Sequence, residues 1–75
     1  MEVFITQREL QVLRLAALDN NSIAEKLNIS VTTVKAHFKK LYMKLKCKNK
    51  KQVILKSIRL SLLRPEQFIL VNPKE

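Results

Sequence analysis

The sequence contains no glycine, and this absence narrows the folds open to it. Small strand-rich domains depend on glycine at their tight turns, where the backbone needs a positive φ angle. Proline, which breaks helices, occurs only at positions 65 and 73. A chain of 75 residues that is 47% hydrophobic is long enough for one small domain and too apolar for a disordered tail. The composition therefore predicts a single all-α domain.

Cysteine and histidine each occur once, as Cys47 and His37. A single cysteine excludes an intramolecular disulfide and a zinc site built from several cysteines. No nucleophile–base pair is visible, and a chain this short has little room for a catalytic cleft. We predict a protein that is not an enzyme and binds no metal or cofactor. Cys47 is then a small buried hydrophobic residue, His37 a structural or phosphate hydrogen-bond donor, and Tyr42 a residue at the rim of the core.

Long hydrophobic runs are also missing, which argues against a membrane span. The N-terminal residues "MEVFITQREL" carry charges where a signal peptide would have a continuous apolar segment. We expect a soluble, cytoplasmic protein with no membrane association.

Acidic residues are scarce, and one long segment of the chain has none. The chain has 15 Lys and Arg against 6 Asp and Glu, for a net charge of +9. From Lys26 to Arg64 there is no acidic residue at all. Such a segment repels itself unless an anion meets it, so nucleic acid is the first candidate partner and an anionic membrane surface the second. The alternative is a solvated basic face without a partner.

Capping signals and hydrophobic periodicity predict the first two helices. Thr6 and Glu9 have the spacing of a capping box and begin a helix over about residues 7–18. Asp19 or Asn20 caps a short second helix in "NSIAEKL". The apolar residues at helical spacing in the first helix are Leu10, Val12, Leu13, Ala16 and Ala17.

Two further helices are predicted after the tight turn "NIS". Ser30 caps the third helix, which covers residues 31–45. A fourth helix over residues 51–63 ends at the step from Arg64 to Pro65, because the residue before proline resists helical geometry. Residues 65–75 follow as an extended tail.

The third helix has two faces of different character. At about 100° per residue, one face is a core stripe and the other is basic. The core stripe is Val34, Phe38, Leu41 and Leu45, and the nearly opposite face holds Thr32, Lys35, Ala36 and Lys39. The major groove of duplex DNA admits a helix and is bordered by phosphates. Lysines can reach guanine acceptors there, while threonine and alanine can contact thymine methyl groups. A short helix, a tight turn and such a helix form a helix-turn-helix motif.

Two sequence segments resemble a known family. They are "TQRELQVLRLAA" and "IAEKLNISVTTVKAHFKKLYMKLKCKNKKQVI". They are similar to the DNA-binding domain of LuxR-type regulators, the family of NarL and GerE, and the string "IAxxLxISxxTVKxH" followed by "KL" is a specific signal. The sequence departs from the family pattern at Gln11, Lys46, Cys47 and Lys50, where glutamate, glycine, valine and arginine are usual, and in a shorter, glycine-free turn between the first two helices.

The resemblance implies a four-helix domain whose third helix binds the major groove and whose fourth helix forms a dimer. By position, it implies that Lys35, Ala36 and Lys39 contact bases, with Thr33 and Lys50 nearer the DNA backbone. The complete set of expected DNA-contacting residues is Thr32, Thr33, Lys35, Ala36, Lys39, Lys40, Lys48 and Lys50.

The fourth helix carries more apolar residues than docking on its own domain requires. Small serines beside this spare stripe would allow a second helix to approach closely in a symmetric pair. The expected dimer contacts are Ile54, Ser57, Ile58 and Ser61. The alternative is that the tail segment "QFILV" covers the same surface.

The function expected from these observations is sequence-specific duplex DNA binding by a transcriptional regulator, as a homodimer and with RNA polymerase as a possible further partner. The expected domain covers residues 1–64, followed by the tail at 65–75. The alternatives are a promoter-reading domain like that of a sigma factor, and an adaptor that keeps the fold without binding DNA. The chain is either a stand-alone regulator or the output domain of a response regulator, and its target genes and regulatory sign are open.

Overall fold

The computed structural model describes residues 4–64, and these form four helices without strands. The helices are α1 (Gln7–Arg14), α2 (Asn20–Leu27), α3 (Val31–Leu45) and α4 (Lys50–Arg59). The all-α prediction is confirmed. The predicted extended tail at 65–75 lies outside the described residues.

Each helix begins at a side chain that accepts a backbone hydrogen bond, as the sequence predicts for the first three. Thr6 and Glu9 form a reciprocal capping box on α1. Asp19, rather than Asn20, caps α2 through a 2.8 Å bond from the Ser22 amide. Ser30 accepts from the Thr33 amide at 3.1 Å. These local bonds satisfy amides that would otherwise have no partner at a helix start.

The first helix is shorter than predicted, because it ends at Arg14 rather than residue 18. The next residues form tighter turns, with the Leu15 amide donating to Val12 O at 3.1 Å and the Ala16 amide to Leu13 O at 3.1 Å. This change of backbone geometry buries Leu15 and Ala16. Ala17 was predicted to lie on the apolar face of the first helix. It is exposed, because α1 ends before this residue and the helical period no longer determines its direction.

The fourth helix also ends early, at Arg59 rather than residue 63. Ser61 takes a left-handed conformation with φ 61°, and the Leu62 amide donates to Ser57 O at 2.8 Å. The chain turns back and buries Leu63 against the core. The Arg64–Pro65 step therefore does not end the helix. Instead, α4 ends several residues earlier, and this early end accompanies the burial of Leu63.

The central element is α3, which packs against each of the other three helices. Its predicted core stripe is correct: Val34, Phe38, Leu41 and Leu45 are all at most 2% exposed. Residues from the other elements complete the core. They include Val12, Leu13, Ile23, Val53 and Leu63. Because α3 is held along one side only, its opposite side remains at the surface.

Candidate nucleic-acid interface

The outer side of α3 carries the residues expected to contact DNA. The structure places all six of the α3 candidates at the surface, and they are Thr32, Thr33, Lys35, Ala36, Lys39 and Lys40. The buried stripe lies on the other side of the same helix. The core therefore determines which side of α3 faces outward.

The start of α3 is positioned by the turn that joins it to α2. Asn28 adopts a left-handed conformation with φ 56°, and the Ile29 amide donates to Ala24 O at 3.0 Å. Ser30 then caps α3, and its hydroxyl lies 2.9 Å from the Thr33 hydroxyl. Thr33 therefore has a local hydrogen-bond partner in addition to any it could find on a ligand.

The charge around this face is almost entirely positive. Of the 15 Lys and Arg, only Lys74 lies outside the described residues, whereas three of the six acidic residues do. Those remaining in the described range are Glu9, Asp19 and Glu25. Glu9 is buried in an ion pair, and Asp19 caps α2. The outer side of α3 itself has no acidic residue to weaken its attraction for an anion.

One exposed residue of this face was missed by the sequence analysis. Met43 is 71% exposed, more than any other large apolar side chain on the four helices. It follows Lys39 by four residues and Lys40 by three, so it lies one turn further along the same side of α3. The helical count that identified Lys35 and Lys39 places Met43 there as well.

Comparisons with known proteins agree with this geometry. Residues 3–57 match the model of the family described as "Bacterial regulatory proteins, luxR family". The chain belongs to the luxR family. Membership implies DNA binding in transcription regulation, and domains of this family are not enzymes.

The similar curated proteins are much longer than this chain. The HTH-type transcriptional regulator MalT of Vibrio campbellii is 43% identical over 53 residues, which is 68% of this chain and 6% of that protein. MalT of Vibrio cholerae is 42% identical over 52 residues, with 67% and 6% covered. MalT of Yersinia pestis is 38% identical over 58 residues, with 75% and 6% covered. The chain thus matches only a small part of each relative. No solved structure matches it.

Lys46 replaces the glycine that is usual in luxR-family domains after "KL". It has φ 55° and directly follows α3. The Cys47 amide donates to Tyr42 O at 2.9 Å, which closes the end of the helix as a glycine would. Lys46 therefore ends α3 in a left-handed conformation that costs a residue with a Cβ more than it would cost glycine.

Lys50 stands where the luxR-family pattern has arginine, and it makes contacts within the domain. Its Nζ donates to Leu18 O at 3.0 Å and lies 4.8 Å from the centre of the Phe38 ring. Burial lowers the pKa of the Lys50 ammonium below its ordinary value of 10.5, and the charge of Asp19 opposes that shift. Lys50 was expected to lie near the DNA backbone, but here its ammonium links α4 to the loop before α2.

Lys48, by contrast, is exposed at the start of α4. Its backbone amide donates to Gln52 Oε1 at 2.7 Å, and the Gln52 amide donates to Asn49 Oδ1 at 2.9 Å. These bonds fix the backbone that carries Lys48 without using its ammonium group.

Lys44 forms a second internal contact that the sequence did not predict. Its Nζ lies 2.6 Å from Glu9 Oε1, and Glu9 is only 3% exposed. Burial acts to raise the pKa of the Glu9 carboxyl, but the hydrogen bond and charge of Lys44 and the bonds with Thr6 together lower it below its ordinary value of 4.5. This ion pair joins α1 to α3. It engages Lys44, one of the lysines of the segment without acidic residues, in a contact within the domain.

The four residues expected at a dimer interface do not share one exposed surface. Ser57 is fully buried, and its hydroxyl donates to Ile54 O at 2.8 Å. Ile54 and Ile58 are partly buried against the core, whereas Ser61 is exposed beyond the end of α4. The predicted stripe is corrected because the helix ends before Ser61, and because the serine hydroxyl bonds to its own helix and can be buried.

Tyr42, Cys47 and His37, which the sequence also pointed to, are all partly buried in the domain. Tyr42 is partly buried and stacks on Phe38 with ring centroids 6.1 Å apart, which agrees with the predicted rim position. Cys47 is partly rather than fully buried, and its Sγ donates to Leu45 O at 3.4 Å. His37 is half-buried. Within residues 4–64, no group of three or more His, Cys, Asp or Glu could hold a metal ion.

None of the helices in the described part of the chain is long and apolar enough to cross a membrane.

Proposed function

We propose that this chain binds duplex DNA sequence-specifically, with α3 in the major groove. The observation that supports this most directly is the exposed outer side of α3, where lysines alternate with threonine and alanine opposite a fully buried stripe. Lysines alone would be attracted to any phosphate. The small residues between them allow the helix to approach base edges closely.

Within this proposal, the DNA-contacting residues of α3 and of the segment before α4 divide into two groups. Lys35, Ala36 and Lys39, with Thr32 beside them, contact bases. Thr33, Lys40 and Lys48 contact the phosphate backbone, where they set the position of the helix without reading sequence. Lys50 supports the interface indirectly, because its ammonium is bonded to Leu18 O.

The test is a selection from a randomised duplex pool by the full chain and by the double variant Lys35→Ala plus Lys39→Ala. We expect the wild-type protein to enrich one motif and the double variant to enrich none, because each base contact contributes about 1–3 kcal/mol of discrimination. The matched control is Arg8→Ala plus Lys26→Ala, which removes the same charge from exposed positions on α1 and α2. If the double variant selected the wild-type motif, the assignment of these lysines would be wrong.

The proposed assembly on DNA is a homodimer through α4. Because Ser57 is buried, it is not available for this contact. The apolar edge of α4 that remains for pairing consists of Ile54, Leu55 and Ile58, of which Leu55 is 55% exposed. An inverted repeat with half-sites about one helical turn apart is the expected selected sequence. A single half-site would retain the groove-binding helix and exclude the dimer.

We also propose that the DNA-binding domain extends to residue 64, beyond the matched range, because Leu63 completes the core. The protein would act in the cytoplasm, with RNA polymerase as an expected further partner. Selection of no motif by a folded protein would favour the adaptor alternative, and selection of a promoter element would favour the sigma-like one.

A further inference from the structure

Met43 is the large apolar side chain most exposed on any of the four helices. At 71% exposure it exceeds Leu55 on α4, which is 55% exposed. The core already contains the apolar stripe of α3, and Met43 is not part of it. A single exposed apolar side chain is common on protein surfaces, so the significance of Met43 depends on where it lies on α3.

The position of Met43 on the helix points to a specific partner. At about 100° per residue, it lies within about 20° of Thr32 and Ala36 and about 40° of Lys39 around the helix axis. It therefore continues the row that is proposed to contact base edges. The previous turn places Lys39 on one side of this row and Lys40 on the other, and both are exposed.

The distance along the helix axis from Lys39 to Met43 sets how many base pairs further this row of side chains can reach. At about 1.5 Å per residue, Met43 lies roughly 6 Å beyond Lys39. Base pairs in B-DNA are about 3.4 Å apart, so this is about two base-pair steps for a helix aligned with the groove. The thioether side chain is long and flexible and fills irregular apolar spaces. The apolar feature of the major groove is the C5-methyl group of thymine.

We propose that Met43 is an additional specificity-determining residue that contacts a thymine methyl group outside the base pairs reached by Lys35 and Lys39. This proposal rests on the proposed DNA-binding function and extends it by one contact. In this arrangement Lys39 contacts a neighbouring base and Lys40 the DNA backbone, while Met43 favours thymine over cytosine or uracil by burying its methyl group.

The experiment removes that methyl group without changing base pairing. The motif selected by the full chain is synthesised with deoxyuridine in place of thymidine at one position at a time, and affinities are measured for the wild-type protein and Met43→Ala. We expect the wild-type protein to lose about fourfold in affinity at one thymine, which corresponds to about 0.8 kcal/mol for one buried methyl group. Met43→Ala should bind the two versions of that site equally.

The matched control is Phe4→Ala, which truncates another exposed apolar side chain away from α3 and from the proposed dimer contacts. It should retain the wild-type difference between thymine and uracil. Circular dichroism and the denaturation midpoint of Met43→Ala should match those of the wild-type protein, because the side chain contributes little to the core.

The outcomes separate this proposal from the function on which it rests. If Met43→Ala weakens all duplexes equally, Met43 contacts the sugar-phosphate backbone or another protein surface, and the proposal is overturned. The same holds if the variant discriminates thymine from uracil as the wild-type protein does. If the wild-type protein selects a motif in either case, the DNA-binding function stands. If it selects none, both proposals fail.

Discussion

Three residues that are not glycine hold left-handed backbone conformations at helix ends. They are Asn28, Lys46 and Ser61, with φ angles of 56°, 55° and 61°. Asparagine tolerates this region better than other residues with a Cβ, whereas lysine and serine pay a larger steric penalty. A chain without glycine therefore has to place other residues at these left-handed positions.

The strain at Lys46 leads to a prediction about stability. Lys46→Gly should raise the free energy of unfolding by about 0.5–1 kcal/mol, because glycine adopts positive φ without steric cost. Urea denaturation of wild-type protein, Lys46→Gly and Lys46→Ala measures the effect, and the alanine variant separates the loss of charge. At the helical position Lys40, the order should reverse, with alanine more stable than glycine. A glycine variant at 46 no more stable than alanine would contradict the explanation.

The buried carboxylate of Glu9 contributes to stability in a way that depends on pH. Its folded-state pKa is lowered below 4.5, so its contribution to stability is present above about pH 4.5 and is lost as the pH falls through the folded-state pKa. Removing the charge by Glu9→Gln should lower the free energy of unfolding by about 1–2 kcal/mol at neutral pH.

The pH dependence checks this contribution. The difference between wild-type protein and Glu9→Gln should be constant from about pH 7 to 5 and should shrink below about pH 4.5. Denaturation curves at a series of pH values measure it. Asp19 also has a lowered pKa, chiefly because of its bond from the Ser22 amide, but it is present in both proteins and cancels. A difference that stayed constant to pH 3 would show that Glu9 does not titrate with folding.

At the level of the helices, α3 is both the centre of the core and the proposed contact surface. The first role requires α3 to pack along its whole length, and the buried stripe from Val34 to Leu45 does so. The second requires the opposite side to remain clear of the other helices. The internal bonds of Lys44 and Lys50 hold α1 and α4 in positions that satisfy both requirements.

Two lysines near the beginning of α4, Lys48 and Lys50, allow the proposed DNA contact to be distinguished from the structural one. Lys50→Met should lower the free energy of unfolding by about 1 kcal/mol, because it removes a charged donor to Leu18 O and the contact with the Phe38 ring. Lys48→Met should leave stability unchanged and lower DNA affinity. Denaturation and binding titrations on the same two variants measure both effects. Equal stability of the two variants would contradict the internal role of Lys50.

For the whole molecule, the net charge of +9 bears on both the proposed DNA binding and the proposed pairing of two copies. Two copies repel each other, and any α4 pairing brings exposed Lys51 and Arg59 of each copy close to the apolar edge. DNA would neutralise much of this charge. We therefore expect the dimer to form on DNA and the free protein to be monomeric.

Salt dependence and sedimentation check this expectation together. DNA affinity should fall steeply with salt, and Lys40→Ala and Lys48→Ala should each reduce the slope of log K against log salt by about 1. Arg8→Ala, on α1, should leave the slope unchanged. Sedimentation should show a monomer alone and two copies on an inverted repeat. A flat salt dependence would argue against nucleic acid as the partner, and a stable dimer without DNA would contradict the role of charge.

Features that depend on neighbouring residues could be predicted from the amino-acid sequence alone. Helix starts are of this kind, because Thr6, Asp19 and Ser30 cap amides only three residues away. The two sides of α3 are another, since a period of about 3.6 residues separates its apolar and basic positions. The family resemblance rests on the same local pattern, and it was confirmed over residues 3–57.

The tertiary structure decided what depends on elements distant in sequence. Lys44 meets Glu9 across 35 residues, and Lys50 meets Leu18 across 32, so neither partner can be inferred from local spacing. The early end of α4 and the burial of Ser57 likewise depend on packing against the rest of the domain. Helix periodicity assigns each residue a direction, but only the packed core decides which directions are covered and which lysines remain available for DNA.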